Sequence, residues 1–259
     1  GYTIQGPDFH FDGQNFAKAF DIKYLDKEGN YQYVWQNTYA ISTRELGVMV
    51  AMHSDNKGLV LPPKLAYIQI VIIPIFSKGN EQKLVDYVRQ IKAKLDSKYR
   101  VIIDDSKEYS PGYKFSEYEL RGVPLRIEVG SRELESKQAT CTRRDTGERT
   151  TVGIENIEIK VSKLLEAIHN ELYRRADEFL RKNVHVVFDY DTFKKTLVEK
   201  KGIVQAPWCG STECEAKIKE ETSAKITNIP FDQSSLQKDL KCVYCGKPAK
   251  YMANFGRSY

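Results

Sequence analysis

The feature that most constrains the fold is an alternation of strand and helix patterns in the middle of the chain. Residues 68–76 form an apolar run of strand length that is interrupted only by Gln69, and apolar residues then recur at helical spacing from position 84 to position 95. Further strands are predicted at 99–104, 125–130, 138–144 and 149–153, and further helices at 110–120 and 157–182. This order predicts an α/β domain over residues 66–182, in which helices flank a mixed sheet.

Residues 1–65 predict a smaller domain. Two β-rich runs, 20–25 and 31–36, flank a turn of Asp, Lys, Glu, Gly and Asn; a buried strand ends at 39–41, and an apolar helix follows at 45–53. We expect an antiparallel sheet that carries one helix buried on nearly every side. Because so small a sheet leaves much surface exposed, we expect a truncated domain with more sheet upstream of residue 1.

Composition limits the class of protein. A chain of 259 residues has room for two or three domains, and 41% hydrophobic against 29% charged residues is typical of folded proteins. The longest apolar run is strand-sized and no signal-peptide pattern is present, so we expect no membrane span, a cytoplasmic location and no structural disulfides. The net charge of +5 permits a nucleic-acid partner without requiring one.

Four of the five cysteines gather near the end of the chain and predict a metal site. Cys209 and Cys214 are separated by four residues, and Cys242 and Cys245 by two, a spacing typical of zinc ligands. Four thiolates complete the shell of a structural zinc and leave no open position. The alternative is four reduced core thiols, and Cys141 is predicted to lie inert in a strand. The elements predicted for this C-terminal domain, residues 183–259, are strands at 184–188 and 202–208 and a helix at 190–200.

A corner at Ser42, Thr43 and Arg44 suits a phosphate-bearing ligand. It places two hydroxyls and a guanidinium where the apolar helix would begin, and helix N-termini offer free N–H groups and a partial positive charge. The alternative is a core helix whose first-turn arginine faces solvent.

The stretch from Tyr109 to Arg132 offers groups that could read bases. Phe115 and Glu119 stand at i and i+4 on a predicted helix, and Arg126 and Arg132 come from the next strand and the turn after it. An aromatic ring can stack an unpaired base, a carboxylate can accept from a base amino group, and arginines can bind guanine edges or phosphate. The alternative is a solvated amphipathic helix beside a sheet.

Three polar groups near the start of the chain are candidate pocket residues. Gln5, Asp8 and His10 are predicted to share a loop that contains glycine and proline. A single histidine beside phenylalanines is also common as a packed core residue, and that alternative stays open.

Taken in order, these stretches resemble the C-terminal half of prolyl-tRNA synthetases of the archaeal and eukaryotic type, which are class II aminoacyl-tRNA synthetases. The resemblance covers essentially the whole chain, and its specificity comes from the co-linear order of several short motifs. The motifs are QNFAKAF at 14–20, residues 36–63, SPGYKF at 110–115, GVPLRIEVG at 122–130, RRDTGE at 143–148, the four cysteines and FGRSY at 255–259.

The resemblance implies roles for residues in each region. Ser42, Thr43 and Arg44 would belong to the third conserved motif of the catalytic domain, with Gln5 also near ATP and Arg44 in a catalytic role. His10 and Tyr39 would line the proline pocket, although this chain has Asp8 and Phe9 where the family usually has small hydroxyl residues. The residues that would read the guanines of a proline anticodon are Phe115, Glu119, Arg126 and Arg132.

The resemblance also implies the reaction, the cofactors and the partners. The parent enzyme would activate proline with ATP and Mg²⁺, transfer it to proline tRNA without a covalent enzyme intermediate, hold a structural Zn²⁺ on its four cysteines and form a homodimer. Its last residue, Tyr259, would fold back towards the active site.

Two alternatives to a working enzyme remain open at this point. A synthetase-derived module would hold tRNA or a protein partner but activate nothing, and the family's first two motifs, which precede residue 1, are absent from this sequence. In the other alternative the zinc unit is only a surface for docking a partner.

Overall fold

The computed structural model describes residues 3–258, so the expectation for Tyr259 lies outside the described residues. Close contacts gather the chain into two units: one is Thr43–Ala176, and the other combines the residues up to Ser42 with those from Asp177 onward. The predicted domains divide the chain at residues 65 and 182 instead, and those boundaries remain predictions.

The elements are labelled in chain order. They are β1 (Asp8–Gly13), α1 (Asn15–Ala19), β2 (Lys23–Leu25), β3 (Tyr31–Tyr33), β4 (Gln36–Ala40), α2 (Arg44–His53), β5 (Ile70–Pro74), α3 (Glu81–Leu95), β6 (Val101–Ile103), α4 (Pro111–Leu120), β7 (Leu125–Val129), α5 (Ser131–Glu135), β8 (Gln138–Arg143), β9 (Arg149–Gly153), a 3-10 turn (Ile154–Asn156), α6 (Ile157–Lys182), β10 (Val184–Val186), α7 (Tyr190–Glu199), β11 (Ile203–Trp208), α8 (Thr212–Thr222), β12 (Lys225–Asn228) and β13 (Tyr251–Gly256).

A five-stranded mixed sheet forms the centre of the Thr43–Ala176 unit. Its strand order is β6-β5-β7-β8-β9, in which β5 is parallel to β6 and β7, while β8 and β9 are antiparallel additions. The expected α/β class with a mixed sheet is confirmed. The predicted strands and helices of this region all form, within a few residues of their predicted ends.

The main core lies on one face of this sheet. Ile70 and Ile72 of β5 and Leu125 and Ile127 of β7 point to this face, where helices α3 and α6 supply the opposing apolar side chains. Each such side chain contributes about 1.5 to 3 kcal/mol when it is fully buried. Cys141 of β8 lies in the same core, 1% exposed, as expected of an inert strand residue.

Helix α4 covers part of the opposite face. Val71 and Ile73, which alternate with the core-facing residues of β5, pack there with Val123, Phe115 and Tyr118. Helix α4 packs against β5, and the neighbouring strands β7 and β8 carry polar side chains on this face.

The segments before Ser42 differ from the sequence prediction. The predicted single sheet is wrong: β1 pairs only with β4, and β2 pairs only with β3, so two separate two-stranded ladders form among the described residues. Asp8 and His10 lie in β1 and not in the predicted loop. The predicted strand ending at 39–41 forms as β4, but its predicted burial is wrong, because Asn37–Ala40 is exposed.

The predicted burial of helix α2 is wrong as well. The helix forms as expected, but none of its residues is buried; Leu46 is 57% exposed and Met52 48%. The apolar sequence of a helix predicts that the helix is buried. Whether it is buried depends on which elements pack against it.

The C-terminal segments form a four-stranded sheet in the order β10-β11-β13-β12. Phe193 of α7 and Phe255 of β13 meet edge to face in its core, with ring centroids 5.1 Å apart. Strands β12 and β13 and helix α8 were not predicted. Helix α8 and strand β12 contain few apolar residues, whereas β13, with the sequence YMANFG, is mostly apolar and carried a strand signal that was missed. No helix among the described residues is long and apolar enough to cross a membrane.

Candidate functional site

The candidate base-reading residues are carried by α4 and β7. Helix α4 begins sharply because the Ser110 hydroxyl accepts a hydrogen bond from the Tyr113 backbone N–H at 3.3 Å and Pro111 occupies the first turn. Phe115 and Glu119 follow one turn apart on this helix.

Arg126 of β7 lies against both residues. The carbon of its guanidinium is 4.2 Å from the centroid of the Phe115 ring, and its Nη1 donates to Glu119 Oε1 at 3.4 Å. Only 12% of the Arg126 side chain is exposed. The structure therefore brings together three of the four predicted residues, Phe115, Glu119 and Arg126, and it covers one face of the Phe115 ring with the guanidinium.

Arg132, the fourth predicted residue, lies apart from these contacts. It is exposed on the short helix α5, which follows β7. Within residues 3–258, its side chain has no hydrogen-bond or ion-pair partner, so its guanidinium is open to a ligand.

Three further polar residues extend the cluster across the sheet. Glu128 accepts from Arg126 Nε at 3.0 Å, from the Thr142 hydroxyl at 2.8 Å and from Arg149 Nη2 at 2.6 Å. Residues 126, 142 and 149 pair across β7, β8 and β9, so they form one row on the face of the sheet that carries α4. Sequence reasoning missed Glu128, Thr142 and Arg149, although the alternation in β7 already marked Glu128 as lying on the polar face.

A buried lysine fixes the start of helix α4. The Lys114 side chain, 4% exposed, places its Nζ 2.9 Å from Asp104 Oδ1, and it donates to the carbonyls of Asp104 and Ser106 at 2.9 and 2.6 Å. Burial raises the pKa of the Asp104 carboxyl, but hydrogen bonds from Lys114 and Ser106 outweigh this effect and lower it overall. This network ties α4 to the loop after β6.

The end of α4 is fixed by the segment that follows α2. Arg144, 3% exposed, donates to both carboxylate oxygens of Asp55, at 2.6 and 2.8 Å, and to the Glu119 carbonyl at 2.9 Å. The hydrogen bond from Arg144 lowers the pKa of Asp55 to about 2. Gly58 has a φ of +130°, and a Cβ there would lie 2.5 Å from the Leu120 Cα, so only glycine permits this close approach.

The four predicted metal-ligand cysteines converge. Cys209 follows β11, Cys214 lies in the first turn of α8, and Cys242 and Cys245 lie in the turn before β13. Their sulfurs all lie within 4.8 Å of one another; Cys209 Sγ is 3.6 Å from Cys214 Sγ and 3.7 Å from Cys245 Sγ. A tetrahedral zinc with bonds of about 2.3 Å separates its sulfur ligands by about 3.8 Å, so the cluster fits that ion.

The local electrostatics also fit a cation. Burial and the neighbouring thiols raise the pKa of Cys214 to about 12, whereas the backbone N–H of Lys247 lowers the pKa of Cys245 to about 7. Four thiols this close need a positive charge before all of them can lose their protons. The geometry therefore defines a site able to hold a metal ion.

The candidate pocket residues near the start of the chain partly meet. Gln5 Nε2 donates to the Asp8 carboxylate, and His10 Nε2 lies 3.2 Å from Asp8 Oδ2. The Tyr39 ring packs against the Phe9 ring at an angle of 45°, with ring centroids 5.0 Å apart. Because His10 pairs with Thr38 in the β1–β4 ladder, His10 and Tyr39 lie on opposite faces of it.

The predicted phosphate corner lies where expected along the chain. Thr43 precedes α2 without a capping side-chain hydrogen bond, and Arg44 is its first residue. Ser42, Thr43 and Arg44 are all exposed, and the Arg44 side chain has no hydrogen-bond or ion-pair partner among the described residues.

The fold around this site is an α/β domain with a mixed sheet, and two family models match the chain. Residues 69–164 match a family described as "Anticodon binding domain", and residues 190–259 match one described as "Prolyl-tRNA synthetase, C-terminal".

Curated relatives match over the whole chain. They include a proline–tRNA ligase of Cytophaga hutchinsonii, 45% identical over 261 aligned residues, and proline–tRNA ligase 2 of Clostridioides difficile, 43% identical over 261, each covered over 53% of its length. Proline–tRNA ligase of Thermococcus kodakarensis is 42% identical over 261 residues, with 54% of its length covered. Over its whole length the chain is similar to the C-terminal region of prolyl-tRNA synthetases. It spans about half the length of these relatives.

Proposed function

We propose that this chain is the tRNA-reading part of a proline–tRNA ligase, which activates proline with ATP to prolyl-adenylate and transfers it to proline tRNA. The observation that carries the proposal is the meeting of Phe115, Glu119 and Arg126 on one surface, inside the segment that matches an anticodon-binding domain.

The cluster has the chemistry to read guanine. Guanine presents acceptors at O6 and N7, which an arginine can bind, and an amino donor, which a carboxylate can accept. Glu119 is 29% exposed, and its hydrogen bond with Arg126 is long, at 3.4 Å. The Glu119 carboxylate and the Arg126 guanidinium can therefore exchange this bond for contacts with a base without leaving an unpaired charge in the core. Since Arg126 covers Phe115, an unpaired base would stack on the guanidinium plane, with the ring behind it. Exposed Arg132 supplies a further contact to the same anticodon.

RNA hairpins that carry the anticodon arm test this proposal. The chain should bind a hairpin with the UGG anticodon at least tenfold more tightly than one in which both guanines are replaced by adenine, since each misread base costs about 1 to 3 kcal/mol. Equal affinity for the two hairpins at physiological salt would contradict anticodon reading. A hairpin with an altered stem and an intact anticodon is the matched control.

For the activation step we infer that Arg44 contacts ATP, with Gln5, Ser42 and Thr43 near the nucleotide. An arginine at a helix start stabilises charge on the phosphates, and Mg²⁺ would neutralise them further. In a ligase that contains this segment, Arg44→Ala should reduce proline-dependent pyrophosphate exchange at least 100-fold. Arg89→Ala, on the exposed side of α3, is the control, and unchanged exchange in Arg44→Ala would remove the assignment.

His10 and Tyr39 are our candidates for the proline pocket. Asp8, beside His10, would hold the imidazole in place and could attract the imino group of proline. The two side chains lie on opposite faces of the β1–β4 ladder, which gives a clear test. If both line the pocket, His10→Ala and Tyr39→Ala should each raise the KM for proline. A raised KM in only one variant would assign the pocket to the face of that residue.

We also propose that Cys209, Cys214, Cys242 and Cys245 hold a structural Zn²⁺. The near-tetrahedral sulfur spacing supports this assignment. Zinc analysis of the purified chain should give about one ion per molecule, and Cys242→Ser should lower it, while Cys141→Ser should not. A metal-free chain with unchanged folding would contradict the assignment. Homodimer formation and a cytoplasmic location are further proposals from the family resemblance.

A second candidate function is a tRNA-binding module that activates nothing. The observation in its favour is that the Arg126 cluster is fully assembled within the Thr43–Ala176 unit, whereas Arg44 is exposed and unpaired among the described residues. Specific hairpin binding without any pyrophosphate exchange by the natural protein would select this candidate.

A further inference from the structure

We propose that Arg149 is a second RNA-contacting arginine, which binds a backbone phosphate next to the bases that Arg126 reads. The proposal rests on the proposed anticodon-reading function and adds a residue and a ligand group to it. It follows from the position, exposure and charge of Arg149.

Position places Arg149 on the reading surface. It stands opposite Thr142, which stands opposite Arg126, so the three residues cross the sheet in one row. Since neighbouring strands lie about 4.8 Å apart, β9 is about 10 Å from β7. Arg149 lies on the edge strand β9, where 63% of its side chain is exposed, against 12% for Arg126.

The bonding of Arg149 differs from that of the structural arginines in this unit. Arg143 and Arg144 each make bidentate bonds to a carboxylate and are only 12% and 3% exposed. Arg149 is 63% exposed and donates through Nη2 alone, to Glu128 at 2.6 Å. Within the described residues this is its one side-chain partner, so most of its guanidinium donors are free for a ligand.

Glu128 explains why Arg149 is held ready. This carboxylate is 4% exposed and its two oxygens are shared between Arg126 and Arg149. It therefore fixes one edge of the Arg149 guanidinium against the sheet and lowers the conformational entropy that a phosphate contact would otherwise cost.

The charge balance of the surface favours such a residue. Glu119 and Glu128 carry two negative charges against the single positive charge of Arg126, which would repel a polyanion. Arg149 makes this group neutral, and Lys57, whose Nζ lies 4.0 Å from Glu119 Oε2, makes it positive. Phosphate contacts position a nucleic acid, while base contacts specify it, so Arg149 and Arg126 have separate tasks.

The test measures the salt dependence of binding of the 259-residue chain to the UGG hairpin and to its adenine-substituted partner. Arg149→Ala should weaken binding of both hairpins to a similar extent, roughly tenfold at low salt, and reduce the slope of log K against log salt by about 0.7 to 1. Arg149→Lys keeps the charge and should restore the slope. Arg89→Ala removes an arginine that is equally exposed, 64%, and ion-paired on α3, on the other side of the sheet, and should change neither quantity.

Two results would overturn the assignment. One is wild-type affinity and slope in Arg149→Ala, and the other is weaker binding with an unchanged slope, which would mean a purely structural effect. Failure of anticodon reading is a separate result, because it appears as equal affinity of the wild-type chain for the two hairpins. It does not depend on the salt slope of Arg149→Ala.

Discussion

Replacing Lys114 with methionine tests whether the buried lysine holds the reading helix in place. Methionine is close to lysine in length but cannot donate, so the change removes three contacts of Nζ, with Asp104 Oδ1 and with the carbonyls of Asp104 and Ser106. Breaking a buried ion pair on one side costs about 3 to 5 kcal/mol. Asp104 keeps hydrogen bonds from Tyr118 and Ser106, so we place the loss at the lower end, about 3 kcal/mol.

Hydrogen exchange of α4 measures this loss locally, which matters because a chain of two units need not unfold in one step. A loss of about 3 kcal/mol raises the opening equilibrium about 150-fold, so α4 amides should exchange faster by that factor. The control is Lys92→Met, which removes an exposed pair with Asp96 at 3.6 Å on α3 and should cost less than about 0.5 kcal/mol. Exchange in α4 within threefold of wild type would refute the reasoning.

Three further predictions concern the metal site and the end of α4. Cys242→Ser should leave the C-terminal sheet unfolded at 37 °C by circular dichroism, and a chelator should do the same to the wild-type chain. Gly58→Ala should lower the melting temperature of the Thr43–Ala176 unit by roughly 10 °C, against about 3 °C for Gly79→Ala, because both have positive φ but only Gly58 meets backbone within 3 Å. The Asp55 carboxyl should titrate near pH 2 by NMR and rise towards 3.8 in Arg144→Ala. Since its folded pKa is lowered, Asp55 stabilises the fold above about pH 4, and this contribution, about 1 kcal/mol after allowance for its 46% exposure, is lost between pH 4 and 2.

The secondary structure of the Thr43–Ala176 unit was predictable because the local apolar patterns agree with the helices and strands that form. Helix α6 begins and ends at the predicted residues, Ile157 and Lys182, since an apolar stripe with helical period runs through most of its length. Its burial was less predictable: Leu172 is buried, but Phe179 and Leu180, on the same predicted face, are 62% and 51% exposed. The spacing of apolar residues indicates which side of a helix is apolar. How much of that side is buried depends on the elements that pack against the helix.

The candidate site was predictable in part. The i to i+4 spacing of Phe115 and Glu119 survives as a shared helical face, and Arg126 joins them because β7 lies beside α4. Glu128 and Arg149 were missed because their partnership depends on the pairing of β7, β8 and β9, a long-range contact that no local pattern contains. Strand β1 carried a usable signal, the alternation of Phe9 and Phe11 with polar residues, that was interpreted as a loop.

The most direct test of anticodon reading is a double-mutant cycle across the protein–RNA contact. Dissociation constants are measured for wild type and Arg126→Ala, each with the UGG hairpin and with hairpins in which one guanine is replaced by adenine. If Arg126 reads a guanine, replacing that guanine should cost the wild-type chain about 1 to 3 kcal/mol of binding free energy and should cost Arg126→Ala almost nothing. The coupling energy of the cycle would then also be about 1 to 3 kcal/mol. A coupling below about 0.3 kcal/mol for both guanines would contradict the account.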